Sequence, residues 1–393
     1  MRKEIFVLGP VRTAIGTFGG SFRNTRPIEL ASQVIGESLH RSKVDPETVG
    51  HVVMGHVCNT EPKDMYLSRA AAVYGGLPES TPAFNLNRLC GSGLSAIIAG
   101  AQMINEDQTD VAIAGGAEVM SRVPHWLPTQ RFGQKMGNAE LVDAMLGALS
   151  DPFDEAHMGV TAERVAARYH ISREAQDALA AQSHQRAASA IEQGFFTDQI
   201  LPIEVRAGRK SLIFDTDEHV KSDTTSESLA SLRPVFQKDG TVTAGNASGI
   251  NDAACVMTLA SAQAVKAQNL APMARLVGYA FVALDPKVMG LGPVPATERL
   301  LKQTGLSIDD IDVWEVNEAF AAQALGVCHG LEIDPASVNP NGSGISLGHP
   351  IGATGAIVAT KAIYELHRTQ KRYAIATLCI GGGQGVAALF ERV

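Results

Sequence analysis

No stretch of this 393-residue chain approaches the ~18 to 20 consecutive apolar residues that a helix needs to cross a bilayer, so no membrane-spanning segment is expected. The start is basic and then apolar, but the run Ile5-Phe6-Val7-Leu8 stops at Gly9-Pro10. That is too short for a secretory signal core and suits a first β-strand. Cysteine is sparse: five residues, at 58, 90, 255, 328 and 379, an odd count with no CxxC pair. A disulfide framework and a structural zinc site are therefore not expected, and a reducing cytoplasm fits best. Positive charge is also outweighed, 33 Lys and Arg against 41 Asp and Glu, for a net −8. This argues against nonspecific nucleic-acid binding, though an anionic ligand needs only a local basic patch or a helix N-terminus. Only 19% of residues are charged while 45% are hydrophobic, as in a well-buried globular protein. At this length, two or more domains or tightly fused halves are expected.

What the chain does have is two cysteines set where apolar segments meet glycine-rich turns. Cys90 stands in Asn87-Arg88-Leu89-Cys90-Gly91-Ser92-Gly93 and Cys379 in Cys379-Ile380-Gly381-Gly382-Gly383-Gln384-Gly385. His349 lies between them in the chain, inside Gly348-His349-Pro350. Glycine allows sharp turns and close approach of a ligand, so both thiols look presented rather than packed. Thiols are the side chains best able to act as nucleophiles near neutral pH. An isolated cysteine is more often buried and inert. Against that, the small residues after Cys90 open a helix, whose N-terminal dipole favours thiolate. Local sequence alone leaves both readings of Cys90 open.

The chain also echoes itself. Apolar strands are expected at 49–57 and 311–316, each followed by a helical stretch, 65–74 and 319–329. Each half then reaches a glycine-rich junction that opens a helix of small apolar residues, 94–104 and 356–366. Strands at 110–116 and 373–382 follow, each ending in Gly-Gly. Repeated strand, helix, strand order suggests two α/β halves related by pseudo-symmetry, with mostly parallel pairing inside each. Residues 121–248 differ: charge density rises, helices are expected at 159–170 and 173–193, and a polar, strand-poor tract runs from 215 to 231. This reads as an inserted loop domain covering the site and able to contact partner subunits. The halves are then 1–120, completed by 249–270, and 271–393.

Several motifs compete. Gly91-Ser92-Gly93-Leu94-Ser95-Ala96 spells a dinucleotide fingerprint, but Asn85-Leu86-Asn87-Arg88 is a poor buried strand ahead of it. Gly344-Ile345-Ser346-Leu347-Gly348 spells a nucleophile elbow, but only Glu365 and His367 follow in the required order. Two residues apart on one helix, they cannot form a relay. Asn317-Glu318-Ala319-Phe320 follows a buried strand, where Asn317 suits a helix N-cap or an amide holding a water in a site. Gly348, Pro350, Gly352 and Gly355 give His349 a rigid mount, which an oxyanion donor or general base requires. The Gly381–Gly383 run offers exposed backbone N–H groups.

Taken together, NRLCGSG at 87–93, HMG at 157–159, GNASGIND at 245–252, VNEAFAAQ at 316–323, GHPIGATG at 348–355 and CIGGGQG at 379–385 closely resemble the thiolases over essentially the whole chain. Within that family the chain looks most like bacterial β-ketothiolases, acetyl-CoA C-acyltransferases of short-chain, fairly broad specificity. The resemblance implies an α/β fold, a five-layered αβαβα sandwich of two pseudo-symmetric halves with an inserted loop domain. It implies a dimer or, by preference, a homotetramer built as a dimer of dimers. No permanently bound cofactor is implied, with coenzyme A and acyl-CoA as substrates in fatty acid metabolism or polyhydroxyalkanoate precursor synthesis.

The resemblance also implies roles. Cys90 would carry the acyl group, His349 would activate it, and Cys379 would move the α-proton. His349 and a water on Asn317 would form one oxyanion hole, the Cys90 and Gly381 N–H groups a second. Coenzyme A would contact Ser248, with Ser228 and Lys221 nearer the nucleotide. Leu149, His157, Met158, Phe236, Ala244, Met289, Ala319 and Phe320 would line the pantetheine and acyl channel. Lys221, Leu291 and Ser343-Gly344 depart from the common pattern: a lysine in place of the frequent arginine gives up planar stacking at the adenine end, and the departures are expected to widen or reshape the acyl pocket. The alternatives are a ketoacyl-synthase-like condensing enzyme and a non-catalytic CoA or lipid carrier; the set Cys90, Asn317, His349 and Cys379 argues against the carrier.

Overall fold

In a computed structural model that describes residues 3–208 and 210–393, the core is one continuous eleven-stranded sheet that divides into two sheets of matching plan. The first contains β1 (Ile5–Thr13), β2 (His51–Gly55), β3 (Ala83–Leu86), β4 (Val111–Val119) and β5 (Asn251–Ser261), in the order β1, β5, β4, β2, β3. Its helices are α1 (Pro27–Ser42), α2 (Leu67–Tyr74) and α3 (Ser92–Asn105). The intervening segment 120–250 carries α4 (Met158–Tyr169) and α5 (Arg173–Glu192). The second sheet contains β6 (Ala274–Ala283), β7 (Val313–Val316), β8 (Tyr373–Ile380) and β9 (Gln384–Arg392), in the order β6, β9, β8, β7. With it come α6 (Pro293–Thr304), α7 (Ala321–Leu331) and α8 (Thr354–Thr369). An isolated parallel bridge from Trp314 to Val338 stands where β3 stands in the first half. Two residue pairs, Phe6 with Arg275 and Val7 with Ala274, join the sheets edge to edge.

Layer position is written in side-chain pattern. Outer helix α1 keeps Glu29, Gln33, Glu37 and Arg41 on a solvent stripe and buries Ile28, Ala31, Val34 and Ile35. Central helices α3 and α8 have little such stripe, because they pack against each other and against both sheets. Both faces of the sheets are thus covered, and β4 and β5 are buried at every residue. The layers run α1/α2, first sheet, α3/α8, second sheet, α6/α7, which is the expected five-layered sandwich.

Pairing is mixed rather than mostly parallel. β2 is parallel to β3 and β4, and β7 to β8, but β5 and β9 run antiparallel to both their neighbours. The reason is the connection: β8 and β9 are joined by the three-residue turn Gly381–Gly383, a hairpin that allows only antiparallel pairing. The same ladder joins β4 to β5, whose first pair is Val119 with Asp252, yet the whole of 120–250 lies between them. The inserted segment therefore occupies the place that a glycine turn holds in the other half. It is tied to β1 by a fully buried ion pair, Arg12 to Asp217 at 2.7 and 2.9 Å.

Some boundaries differ from expectation. A 3-10 turn at Pro62–Tyr66 precedes α2, and β3, read as a poor strand, forms a half-exposed edge of the first sheet. The 215–231 tract contains the short helix Ser226–Ala230 and no strand beyond it. Where the halves meet, backbone touches backbone. A Cβ on Gly116 would sit 2.0 Å from the Gly352 carbonyl oxygen, and one on Gly355 would sit 2.3 Å from the Leu94 nitrogen. Gly116→Ala should therefore lower the urea midpoint by the equivalent of about 1–3 kcal/mol or more, as overpacking does. An unchanged midpoint would show that the halves do not meet this tightly.

Candidate active site

The strand-end turns of both halves open on one cavity of about 350 Å³, walled on its far side by the inserted segment. Cys90 reaches it from the turn after β3, Cys379 from the end of β8, and His349 from the loop before α8. Leu149, His157, Met158, Phe236, Ala244, Ser248, Met289, Ala319 and Phe320 also line it. Of the other expected site residues, Gly381 and Asn317 stand beside the cavity chemistry rather than in its lining, as described below. Lys221 and Ser228 are exposed on the inserted segment, where the Lys221 N–H donates to His184 Nδ1 at 3.1 Å and the Ser228 hydroxyl to the Thr225 carbonyl at 2.8 Å.

Cys90 sits in a single 3-10 turn, Leu89–Gly91, just ahead of α3. Leu89 is left-handed at φ 46°, a conformation that costs a non-glycine residue about 1–3 kcal/mol. The Ser92 hydroxyl holds it, accepting from Arg88 N–H at 2.8 Å and donating to the Leu89 carbonyl at 2.7 Å. The residue as a whole is half-buried. Burial pushes it up to about 11, opposed by the backbone N–H groups of Gly381 and of Cys90 itself. Desolvation outweighs those two hydrogen bonds, which favours the neutral thiol at rest. The two N–H groups that reach the sulfur are the pair expected to form an oxyanion hole. Cys379 is wholly buried rather than presented, and burial together with the neighbouring Cys90 sulfur pushes its thiol up further.

His349 is held on both sides. Its N–H donates to Asn251 Oδ1 at 2.9 Å, and Asn251 Nδ2 donates to the Gly16 carbonyl at 3.0 Å. Gly348 makes room for that amide: at φ 112°, a Cβ there would lie 2.5 Å from Asn251 Cγ. His349 Nδ1 is 2.7 Å from Thr354 Oγ1, while Nε2 has no partner among the described residues. Burial pulls the imidazole down to about 4, so it is neutral at pH 7. Asn317 is not a helix cap. Helix α7 begins only at Ala321, because Ala319 and Phe320 stay extended along 247–248 to line the cavity. Both amide atoms of the fully buried Asn317 lack a partner among the described residues, which fits an amide that holds a water or a substrate oxygen.

One buried acid was not anticipated. Glu118 accepts from the N–H groups of Val57 at 3.0 Å, Cys58 at 3.1 Å and Gly352 at 3.0 Å. It thereby clamps the β2 turn of one half to the His349 loop of the other. In ladder register Glu118 is the counterpart of Cys379, each one pair before the strand end. A lone acid in the otherwise apolar run Val111–Val119 is the signal that would have found it. Met120, Val235, Ala247, Gly249, Ile250 and Ile351 complete the wall; four of them lie inside the motifs at 245–252 and 348–355, while Met120 and Val235, ordinary apolar residues outside any motif, carried no signal. At the entrance His157 stacks on Phe236 at 4.7 Å, which meets Phe320 edge-on at 6.1 Å.

The departures at Leu291 and Ser343-Gly344 do not line the cavity. Leu291 packs with Val165 and Val288, and Ser343 Oγ donates to the Val316 carbonyl at 3.1 Å, behind the site. They do not reshape the cavity wall directly.

Two family models cover nearly all of the chain, the thiolase N-terminal domain over residues 5–263 and the thiolase C-terminal domain over 270–392. The chain belongs to the thiolase family. Among thiolases it is 57% identical to the beta-ketothiolase BktB of Cupriavidus necator, with 100% of each chain covered. It superposes on the acetyl-CoA acetyltransferase of Bacillus anthracis with a TM-score of 0.98 at 43% identity, covering 100% of this chain and 99% of that one. On human mitochondrial 3-ketoacyl-CoA thiolase in complex with CoA the TM-score is 0.96 at 42% identity, covering 100% and 98%.

A thiol pushed up to about 11 makes a specific prediction for this thiolase site. Carbamidomethylation of Cys90 should accelerate about tenfold per pH unit from about pH 6 to about pH 9 without a plateau, followed by mass spectrometry. A plateau below about pH 8 would instead mean a resting thiolate–imidazolium pair.

Proposed function

We propose that the chain is a β-ketothiolase, catalysing reversible CoA-dependent thiolysis of 3-ketoacyl-CoA and the reverse Claisen condensation of acyl-CoA with acetyl-CoA. The observation that carries this reading is the meeting of two thiols and a neutral, acceptor-ready imidazole in one apolar cavity. In thiolysis His349 Nε2 takes the Cys90 proton as the sulfur attacks the 3-keto carbon. The N–H groups of Cys90 and Gly381 hold the resulting oxyanion. The bond between C2 and C3 then breaks, leaving an acyl group on Cys90 and the enolate of acetyl-CoA. The enolate oxygen is held by the His349 imidazolium and a water on Asn317, and its carbon takes the proton of Cys379. A high thiol pKa suits Cys379: the acid is neutral until needed, and its thiolate is a strong base in the reverse direction. The Cys379 thiolate next takes the proton of incoming CoA, whose sulfur attacks the thioester. Cys90 leaves and recovers its proton from His349, so the cycle closes.

The acyl group would lie against Met120, Leu149, Ile250 and Ile351, which favours a short chain. The pantetheine arm would pass His157, Phe236 and Ser248, and the nucleotide would reach Ser228 and Lys221 at the surface. No permanently bound cofactor is called for. Exposed Trp126, Phe132, Met136 and Leu141 support assembly as a homotetramer, and a cytoplasmic location agrees with the free cysteines. A ketoacyl-synthase-like reading is disfavoured because the second proton-transfer position holds a cysteine, and a carrier reading because the full catalytic set is present.

The test is thiolysis of acetoacetyl-CoA and 3-ketovaleryl-CoA with free CoA, followed by loss of the 3-ketoacyl absorbance. Both should turn over, and Cys379→Ala should lower condensation by roughly 10² to 10⁴. If no 3-ketoacyl-CoA is consumed, the reading fails; near-normal synthesis by Cys379→Ala would refute its proton-transfer role.

A further inference from the structure

Thr354, the first residue of α8, is buried and sits directly behind the His349 ring. Its hydroxyl oxygen lies 2.7 Å from His349 Nδ1 and 2.8 Å from the Pro350 carbonyl oxygen. A carbonyl can only accept, so the single hydroxyl proton goes to Pro350, the i−4 back-bond open to a helical threonine. The oxygen then offers the imidazole only lone pairs. Nδ1 must carry a proton to meet it, and in a neutral ring that leaves Nε2 bare. Nε2 is the ring nitrogen with no partner among the described residues.

We propose that Thr354 is a positioning residue that locks His349 in the Nδ1–H tautomer, so that Nε2 faces the cavity as a base and becomes a donor only after taking the Cys90 proton. This rests on the β-ketothiolase reading for what Nε2 does, but not for where the proton sits. The opposite orientation, with the hydroxyl donating to Nδ1, would put the proton on Nε2 and leave Cys90 without a base. Geometry on both sides supports the lock. The backbone N–H of His349 is held by Asn251 at 2.9 Å, so the ring has a fixed mount and the hydroxyl a fixed target. Pro350 O also accepts the N–H groups of Ala353 at 2.8 Å and Thr354 at 2.9 Å. Removing the hydroxyl therefore strands no carbonyl, and valine, of the same shape, can replace threonine without opening a cavity.

The comparison is Thr354→Val against Thr354→Ser in the full-length chain. Solid-state spectra of ¹⁵N-histidine-labelled protein, with His349 identified by its loss in His349→Asn, should show a protonated Nδ1 and a bare Nε2 in the parent and in Thr354→Ser. Thr354→Val should show a mixture. In thiolysis Thr354→Val should lose roughly tenfold to hundredfold in kcat, with KM changed less than about threefold, and Thr354→Ser should recover most of the rate. A protonated Nε2 in the parent, or a Thr354→Val spectrum and kcat equal to the parent's, would overturn the proposal. The spectra read the tautomer whether or not the chain turns over 3-ketoacyl-CoA, so the lock and the functional reading fail separately.

Discussion

The Gly352 carbonyl lies where the Cβ of any other residue at position 116 would have to go. This backbone-to-backbone contact sets how close the two halves come, and the site depends on it. Glu118, two residues further along β4, uses the same proximity to accept the Gly352 N–H while holding the Val57 and Cys58 N–H groups of its own half. Two of those donors, and His56 at 3.4 Å, belong to its own half, so the Gly352 N–H is the bond that undocking would lose.

Once docked, burial itself sets the resting chemistry. It pushes the Cys90 thiol up to about 11 and pulls the His349 imidazole down to about 4. Both shifts disfavour charge, so neither group forms an ion until a substrate arrives to share it. The same apolar surroundings magnify the value of the few N–H groups that point inward. A site that holds neutral partners ready and creates charge only during reaction is well suited to moving protons between sulfur, nitrogen and carbon. The strain at Leu89 and the open amide of Asn317 are costs that the packed surroundings offset.

Much of this was legible in the sequence, for physical reasons. The two halves showed as repeated strand, helix and glycine-junction order, and the central helices as stretches of small residues without a polar face. Cys90, His349 and Cys379 stood out because reactive side chains beside glycines are unusual. What was not legible depended on contacts distant in sequence. Antiparallel β5 could not be read, since an insertion hides the β4–β5 hairpin, whereas the short Gly381–Gly383 connection to β9 was there to be read. The role of Glu118 needed Gly352, 234 residues away. The late start of α7 at Ala321 follows from Ala319 and Phe320 pairing with 247–248. How far burial would disfavour charge on Cys90 was likewise hidden, because it depends on packing from both halves.

The division of labour between the two thiols is most directly tested by trapping. The protein would be exposed briefly to acetyl-CoA, quenched in acid and digested, and its cysteine peptides weighed. One acetyl group is expected on the peptide containing Cys90, and none on that containing Cys379. Acetyl on Cys379, or on neither peptide, would contradict the assignment of Cys90 as the acyl carrier.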